Sequence, residues 1–305
     1  MGPVAGDAGA VGGAPDAAPA AVPHGPYPIV LAHGLFGFDK IGPLDYFYGI
    51  ADALRARGRT VVATRVDAVQ ASDIRGAQLV AAIEEVRAQT GAAKVVVIGH
   101  SQGGLDARWA AAHDPDAIAA VITVATPHLG SPVADVALGL APGNSTAALD
   151  ALANLFGLAP GSSSSFSGAL QTLTTDGAAA FNAANPDAPG IPYWSVAGRS
   201  NFAGAGGCPA STDVTAAWDG SVDPMKLELS PVAGLLALAA LPATPVNDGL
   251  VTVDSATWGT FLGCVPADHF DEVCQLAGQS AGIGNDFDCV AMYVNLEKLL
   301  ADHDL

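Results

Sequence analysis

Hydrophobic positions along this chain follow two periods that take turns. Short continuous apolar runs recur at Ile29–Ala32, Val61–Ala63, Lys94–Ile98, Ala119–Val124 and Ile191–Val196, the pattern of strands buried on both faces. Between them lie segments with helical spacing. Tyr46–Arg57 is one, stopped by Gly58; Ala77–Gln89 is another, with Leu79, Ile83 and Val86 on one side; Leu105–Ala112 is a third. Strands alternating with helices predict βαβ units, hence an α/β fold whose mostly parallel central sheet carries helices on both faces. Asp286–Ala301 closes the chain as a further helix.

The middle of the chain departs from this rhythm. Leu149, Leu152, Leu155 and Phe156 recur at helical spacing after Asn144-Ser145, between Pro142-Gly143 and Gly157. Pro160-Gly161 and a serine run to Ser165 follow. An ordinary core helix and a hinged lid both fit, with residues from about 133 to 166 as the inserted region. The opening stretch to Pro26 is rich in Ala, Gly and Pro and has no compact apolar run. Residues 1–26 therefore read as a flexible leader, or as what remains beside a trimmed export signal. Residues 27–305 then form one domain, a size that α/β folds accommodate in a single unit.

Composition narrows the function. Lys+Arg number 12 against Asp+Glu 30, a formal net charge of -18. Such a balance repels phosphate backbones, so nucleic acid is not an expected partner. Half of the residues are nevertheless apolar and mean hydropathy is +0.36, which excludes a disordered acidic chain. A membrane span is not the explanation. The longest apolar run, Val232–Leu241, has ten residues between prolines, where a bilayer needs about 20. Cys208, Cys264, Cys274 and Cys289 contain no CxxC pair, so zinc is unsupported; four thiols or two disulfides remain open.

The chemistry sits at Gly99-His100-Ser101-Gln102-Gly103-Gly104, directly after the Lys94–Ile98 strand and at the start of a helix. This is G-x-S-x-G in the strand–turn–helix context that gives it meaning. Glycines are needed at its flanks because the turn is too tight for side chains, and the turn lifts the serine hydroxyl clear of the sheet. A serine nucleophile needs an imidazole, itself oriented by a carboxylate. Downstream imidazoles are His113, His128, His269 and His303. His113 lies too close to the elbow, and His303 is near the end of the helix pattern. Order and distance favour His269, in the polar turn Ala267-Asp268-His269, with His128 as competitor. Asp248, beside Gly249, is the candidate acid, and Asp254 is the alternative.

Five motifs together resemble the bacterial secreted triacylglycerol lipases of the Pseudomonas/Burkholderia type, members of the α/β-hydrolase superfamily. They are the segment from Pro28 to Lys40 (PIVLAHGLFGFDK), the GHSQGG elbow, the Thr126–Ser131 turn (TPHLGS), the Asn247–Val251 segment (NDGLV) and His269–Val273 (HFDEV). The resemblance runs with gaps from about Tyr27 to Leu300. It implies Ser101, Asp248 and His269 as a triad, and an oxyanion hole from the backbone N–H groups of Leu35 and Gln102. It also implies one structural Ca²⁺ near the histidine loop, with carboxylates from Asp223 and Asp271 and backbone carbonyls from Gln275 and Gln279. The family's usual disulfide partner after the catalytic acid is missing, since Thr252-Val253-Asp254 stands there. Cys264 is the nearest substitute, which makes Cys208–Cys264 and Cys274–Cys289 the preferred pairing.

The expected protein is a secreted, monomeric, calcium-stabilised lipase that cleaves acylglycerols at a lipid–water interface. Many relatives mature with a membrane-anchored, lipase-specific foldase, a partner the sequence neither requires nor excludes. A carboxylesterase or polyester depolymerase on the same scaffold is the alternative. A catalytically dead scaffold protein is disfavoured by the presence of all three triad candidates.

Overall fold

The computed structural model describes residues 1–2, 26–37, 40–41, 44–141, 145–146, 149–150, 167–200, 207–221, 223, 245–275 and 285–305. Most of the candidate lid helix therefore lies outside the described residues; only Ser145, Thr146, Leu149 and Asp150 of it are included.

The apolar runs become a six-stranded sheet. Its members are β1 (Ile29–Ala32), β4 (Val61–Ala63), β5 (Val95–His100), β6 (Ile118–Val124), β7 (Tyr193–Gly198) and β8 (Thr260–Val265). The strand order is β4-β1-β5-β6-β7-β8, and every neighbouring pair is parallel. Two short antiparallel strands, β2 (Lys40–Ile41) and β3 (Leu44–Asp45), pair separately.

Alternation along the strands divides the core into two layers. Ile29, Leu31, Val96, Ile98, Ile122 and Val124 face α1 (Ile50–Ala56) and the last helix, α8 (Cys289–Asp302), through Ile50, Leu54, Tyr293, Leu296 and Leu300. Val30, Ala32, Val95, Val97 and Val121 face α2 (Ser72–Thr90) and α3 (Gln102–His113) through Leu79, Ile83, Val86, Ala107 and Ala110. Burial on both faces is the physical reason the strands read as continuous apolar runs. A third apolar cluster holds α4 (Pro132–Ala137), α5 (Ser167–Leu173) and Phe181 of α6 (Thr175–Ala184). It also takes in Leu35, Leu105, Leu250 and Val251, from segments that approach the carboxyl ends of the strands.

Differences from the pattern have local causes. Helix α1 starts at Ile50 rather than near Tyr46 because Gly49 turns the chain at φ 71°. Helix α2 starts five residues earlier than its apolar spacing suggests, at Ser72, and runs through Gly76. A Cβ on Gly76 would meet the Trp109 ring at 2.7 Å, so that glycine marks a helix–helix contact and not a stop. Helices α5 and α6 occupy a stretch to which the sequence assigned no element. Among the described residues no helix is long and apolar enough to cross a membrane.

Candidate active site

Strand β5 delivers Ser101 into a turn at φ 55°, ψ −131°, and α3 begins at the next residue. That backbone region is sparsely populated for a residue with a Cβ. Surrounding contacts enforce it. The Ser101 N–H donates to the Val124 carbonyl at 2.9 Å. A Cβ on Gly103 would lie 2.2 Å from the Ala32 carbonyl oxygen, and one on Gly99 would lie 2.4 Å from the Gly103 oxygen. Only glycines let strand, turn and helix approach this closely.

Ser101, His269 and Asp248 form one hydrogen-bonded chain. The Ser101 hydroxyl donates to His269 Nε2 across 2.9 Å, and His269 Nδ1 donates to Asp248 Oδ2 across 2.7 Å. The other oxygen of Asp248 accepts the backbone N–H groups of Leu250 and Val251 at 2.8 and 2.6 Å. The His269 N–H donates to the Asp248 carbonyl at 3.0 Å. The carboxylate is thus held by backbone on one side and faces the imidazole with the other, and all three residues are buried or nearly so. His128 sits elsewhere, its ring stacked on Trp258 and bonded to Arg108 and Thr123. Asp254 is exposed on α7 (Val253–Ala256), and His113 stacks on Trp109.

Two backbone donors flank the nucleophile. Gln102 is the first residue of α3, so its N–H has no partner within the helix. Its side chain is turned away, donating to the Gln70 carbonyl at 2.9 Å and to Ser72 Oγ at 3.2 Å. Leu35 lies in the turn after β1. That turn presses on the nucleophile, since a Cβ on Gly34 would come within 2.7 Å of Ser101 Cβ.

Behind the imidazole lie groups to which the sequence reading assigned no role. Tyr46 Oη meets His100 Nδ1 at 2.7 Å, and His100 Nε2 meets Glu272 Oε2 at 3.2 Å. Glu272 reaches within 3.9 Å of His269 Nδ1. Burial, reinforced by Asp248, Asp268 and Asp271, holds the Glu272 carboxyl well above the usual carboxylate range. Burial and the neighbouring His269 push His100 well below an ordinary imidazole. The His269–Glu272 spacing and the histidine within the elbow were the available signals.

Asp223 and Asp271, far apart in sequence, come together with Asp268. One carboxylate oxygen from each lies within 4.8 Å of the others, and all three residues are buried. Asp268 Oδ1 also accepts the N–H groups of Phe270 and Asp271, at 2.9 and 3.0 Å, and Ser200 Oγ donates to Asp223. Three buried carboxylates repel one another unless a cation neutralises them, and an all-oxygen donor set suits a hard divalent ion. Gln275 is buried beside this loop, with its amide on the carbonyls of Asp45 and Tyr46 at 2.9 and 2.6 Å. Gln279 lies outside the described residues. The cysteines pair as Cys208–Cys264 and Cys274–Cys289.

Comparison with known proteins identifies the family. A family model described as the alpha/beta hydrolase fold matches residues 27–176. The triacylglycerol lipase of Vibrio cholerae is 36% identical over 83% of this chain and 81% of its own length. That of Burkholderia plantarii is 35% identical over 97% and 93%, and that of Pseudomonas fragi 33% over 92% and 97%. Among solved structures, the mature Bacillus licheniformis lipase superposes with a TM-score of 0.59 at 25% identity, covering 85% of this chain and 90% of that one. Staphylococcus hyicus lipase gives 0.62 at 16% identity over 90% and 95%, a likeness of fold. The chain belongs to the α/β-hydrolase superfamily and, within it, to the family of the bacterial triacylglycerol lipases.

Proposed function

We propose that this protein hydrolyses acylglycerol esters at a lipid–water interface through an acyl-enzyme on Ser101. The observation that carries the reading is the hydrogen-bonded chain from Ser101 through His269 to Asp248 at the tip of a strained turn. In this reaction Ser101 Oγ attacks the ester carbonyl while His269 Nε2 takes its proton. Asp248 keeps the imidazole in the tautomer with Nδ1 protonated and stabilises the imidazolium that forms. The N–H groups of Leu35 and Gln102 receive the carbonyl oxygen as it gains charge. The tetrahedral intermediate collapses, His269 returns the proton to the departing alcohol, and the acyl group remains on Ser101. Water, deprotonated by the same nitrogen, then releases the fatty acid.

Asp223, Asp268 and Asp271 would hold a calcium ion, with carbonyls of Gln275 and Gln279 as the resemblance suggests. Its contribution would be structural: it would neutralise buried acids and fix the loop that carries His269, two residues before Asp271. Export from the cell fits two disulfides, which persist in oxidising compartments.

The test compares emulsified trioleoyl glycerol with a dissolved short-chain ester. We expect substantially higher turnover on the emulsion, together with alkyl phosphonate labelling that Ser101→Ala abolishes. Equal or better activity on the soluble ester would replace the interfacial reading with that of a carboxylesterase. Labelling that survives in Ser101→Ala would overturn the nucleophile.

A further inference from the structure

Among the described residues two clusters combine side chains able to ligate a metal, and only one of them is all oxygen. The other consists of His100, His269 and Glu272, all buried, with one donor atom from each within 4.8 Å of the others. The two imidazole rings lie 4.7 Å apart, tilted by 43°. Glu272 Oε2 is 3.2 Å from His100 Nε2 and 3.9 Å from His269 Nδ1. Donors around a tetrahedral zinc ion, each about 2.1 Å from the metal, stand roughly 3.4 Å apart. The two separations straddle that value. The carboxylate also has freedom to turn. Its other oxygen has no hydrogen-bond partner among the described residues and rests against Gly198, where a Cβ would collide with it.

Two imidazoles and one carboxylate suit a borderline-soft transition ion such as Zn²⁺, whereas the carboxylates of Asp223, Asp268 and Asp271 suit a hard one. A metal-bound imidazole donates its remaining N–H to an acceptor, which fixes ring and tautomer. Both acceptors are in place. His100 Nδ1 meets Tyr46 Oη at 2.7 Å, and His269 Nε2 meets Ser101 Oγ at 2.9 Å.

For His269 this is the reverse of the catalytic arrangement. In catalysis Nδ1 carries the proton toward Asp248 and Nε2 is the base. With a metal on Nδ1 the proton stands on Nε2 and is donated to Ser101. The ring turns its Nδ1 from Asp248 toward Glu272, while Asp248 stays on the N–H groups of Leu250 and Val251. The Ser101 hydroxyl then faces a donor and has no base to take its proton.

We propose that His100, His269 and Glu272 form an inhibitory site for a divalent transition ion, Zn²⁺ above all, which switches the enzyme off by holding His269 in the tautomer that cannot act as a base. The consequence for activity rests on the ester-hydrolysis reading; the binding of the ion does not.

The probe is Zn²⁺ in a buffer that does not complex it, with calcium saturating so that the aspartate cluster does not compete. On the parent protein we expect calorimetry to report one bound zinc ion. Hydrolysis of p-nitrophenyl butyrate should be lost with the same midpoint, kcat falling while KM stays unchanged, and EDTA followed by calcium should restore it. Glu272→Gln keeps the size of the side chain and loses an anionic ligand. Its zinc inhibition constant, measured against its own metal-free activity, should rise by more than about tenfold. Zinc-edge X-ray absorption of the parent needs no variant and should show two imidazoles and a carboxylate oxygen.

Unchanged zinc inhibition in Glu272→Gln would overturn the proposal by placing the ion elsewhere, as would an absorption spectrum with fewer than two imidazoles. A parent that stays fully active in millimolar zinc would overturn it as well. Failure of the ester-hydrolysis reading has a different signature: the parent turns over no ester at any zinc concentration, while calorimetry still reports the bound ion.

Discussion

Asp248 shows how much of a catalytic geometry can be built from backbone. Its Oδ1 is occupied by the N–H groups of Leu250 and Val251, so Oδ2 has one orientation and meets Nδ1 of His269 at 2.7 Å. Asp248→Asn would keep the shape and reverse the chemistry. The amide can present an N–H toward Nδ1, which drives the proton to Nε2 and removes the base facing Ser101. We expect kcat to fall by roughly 10⁴-fold with little change in melting temperature, following the behaviour of Ser-His-Asp triads. Loss of only a fewfold would show that another group orients the imidazole. The nucleophile was legible in the sequence because its constraints are local: a strand, two glycines and a helix within about ten residues. The choice between His269 and His128 was not local, and residue order alone left it open. What excludes His128 is its packing against Trp258 and Arg108, contacts made across the fold. Tyr46 and Glu272 escaped for the same reason, since their partners are supplied by other elements. Asp268 is a different miss: it stands in the polar turn beside His269, and nothing local shows that Asp223 comes to meet it.

Elements were legible wherever burial imposed a period. Strands β1, β4, β5 and β6 fell within a residue or two of their apolar runs. Strand β8 gave a weaker signal, because Thr260 is exposed and Gly263, at φ 123°, breaks the run where it packs on Thr215. Long-range tethers between elements leave no period at all. The last helix, α8, is tied to the segment between α1 and β4 by Glu297, which accepts from Arg57 at 2.6 Å and from Arg59 at 2.9 Å. Burial pushes the Glu297 carboxyl up, but the two guanidinium hydrogen bonds outweigh it and hold the group below its ordinary 4.5. A carboxyl lowered in the folded state binds protons less readily there than in the unfolded chain. Its stabilisation is therefore present above about pH 4.5 and is lost as pH falls through the lowered folded value. Glu297→Gln should cost about 1.5–3 kcal/mol at pH 7, the range for hydrogen bonds to charged groups. The gap between variant and parent should close as pH drops below the carboxylate range. Urea unfolding at pH 7 and at successively lower pH measures both; a gap independent of pH would mean that the pair contributes packing alone.

At the scale of the whole molecule the acidity has structure. Three of the 30 acidic residues converge in one buried cluster, drawing Asp223 to the loop of Asp268 and Asp271. That loop carries His269 and ends at the Cys274–Cys289 disulfide, which joins it to the first residue of α8. The second disulfide, Cys208–Cys264, closes a span that contains both Asp223 and Asp248. Two covalent links thus bracket the segments that the proposed calcium ion would join, and the ion would supply the remaining tie between them. An ion bound only by the folded state stabilises by mass action, about 2.7 kcal/mol at a hundred times its dissociation constant. For a domain of this size that corresponds to roughly 5–10 °C in melting temperature. Stripping divalent ions with a chelator should lower the melting temperature by that order, and added calcium should restore it while magnesium restores it poorly. Magnesium demands a tighter octahedron and gives up water reluctantly, whereas calcium tolerates an irregular carboxylate cage. Asp223→Asn separates the ion from the loop's other contacts, because this residue reaches the cluster from a distant segment. Its melting temperature should lie near that of the stripped parent and respond little to calcium or chelator. A parent indifferent to chelation, with Asp223→Asn equally stable, would mean that protonation rather than a cation neutralises the three acids. In that case the disulfides and backbone contacts alone would hold His269 against Ser101.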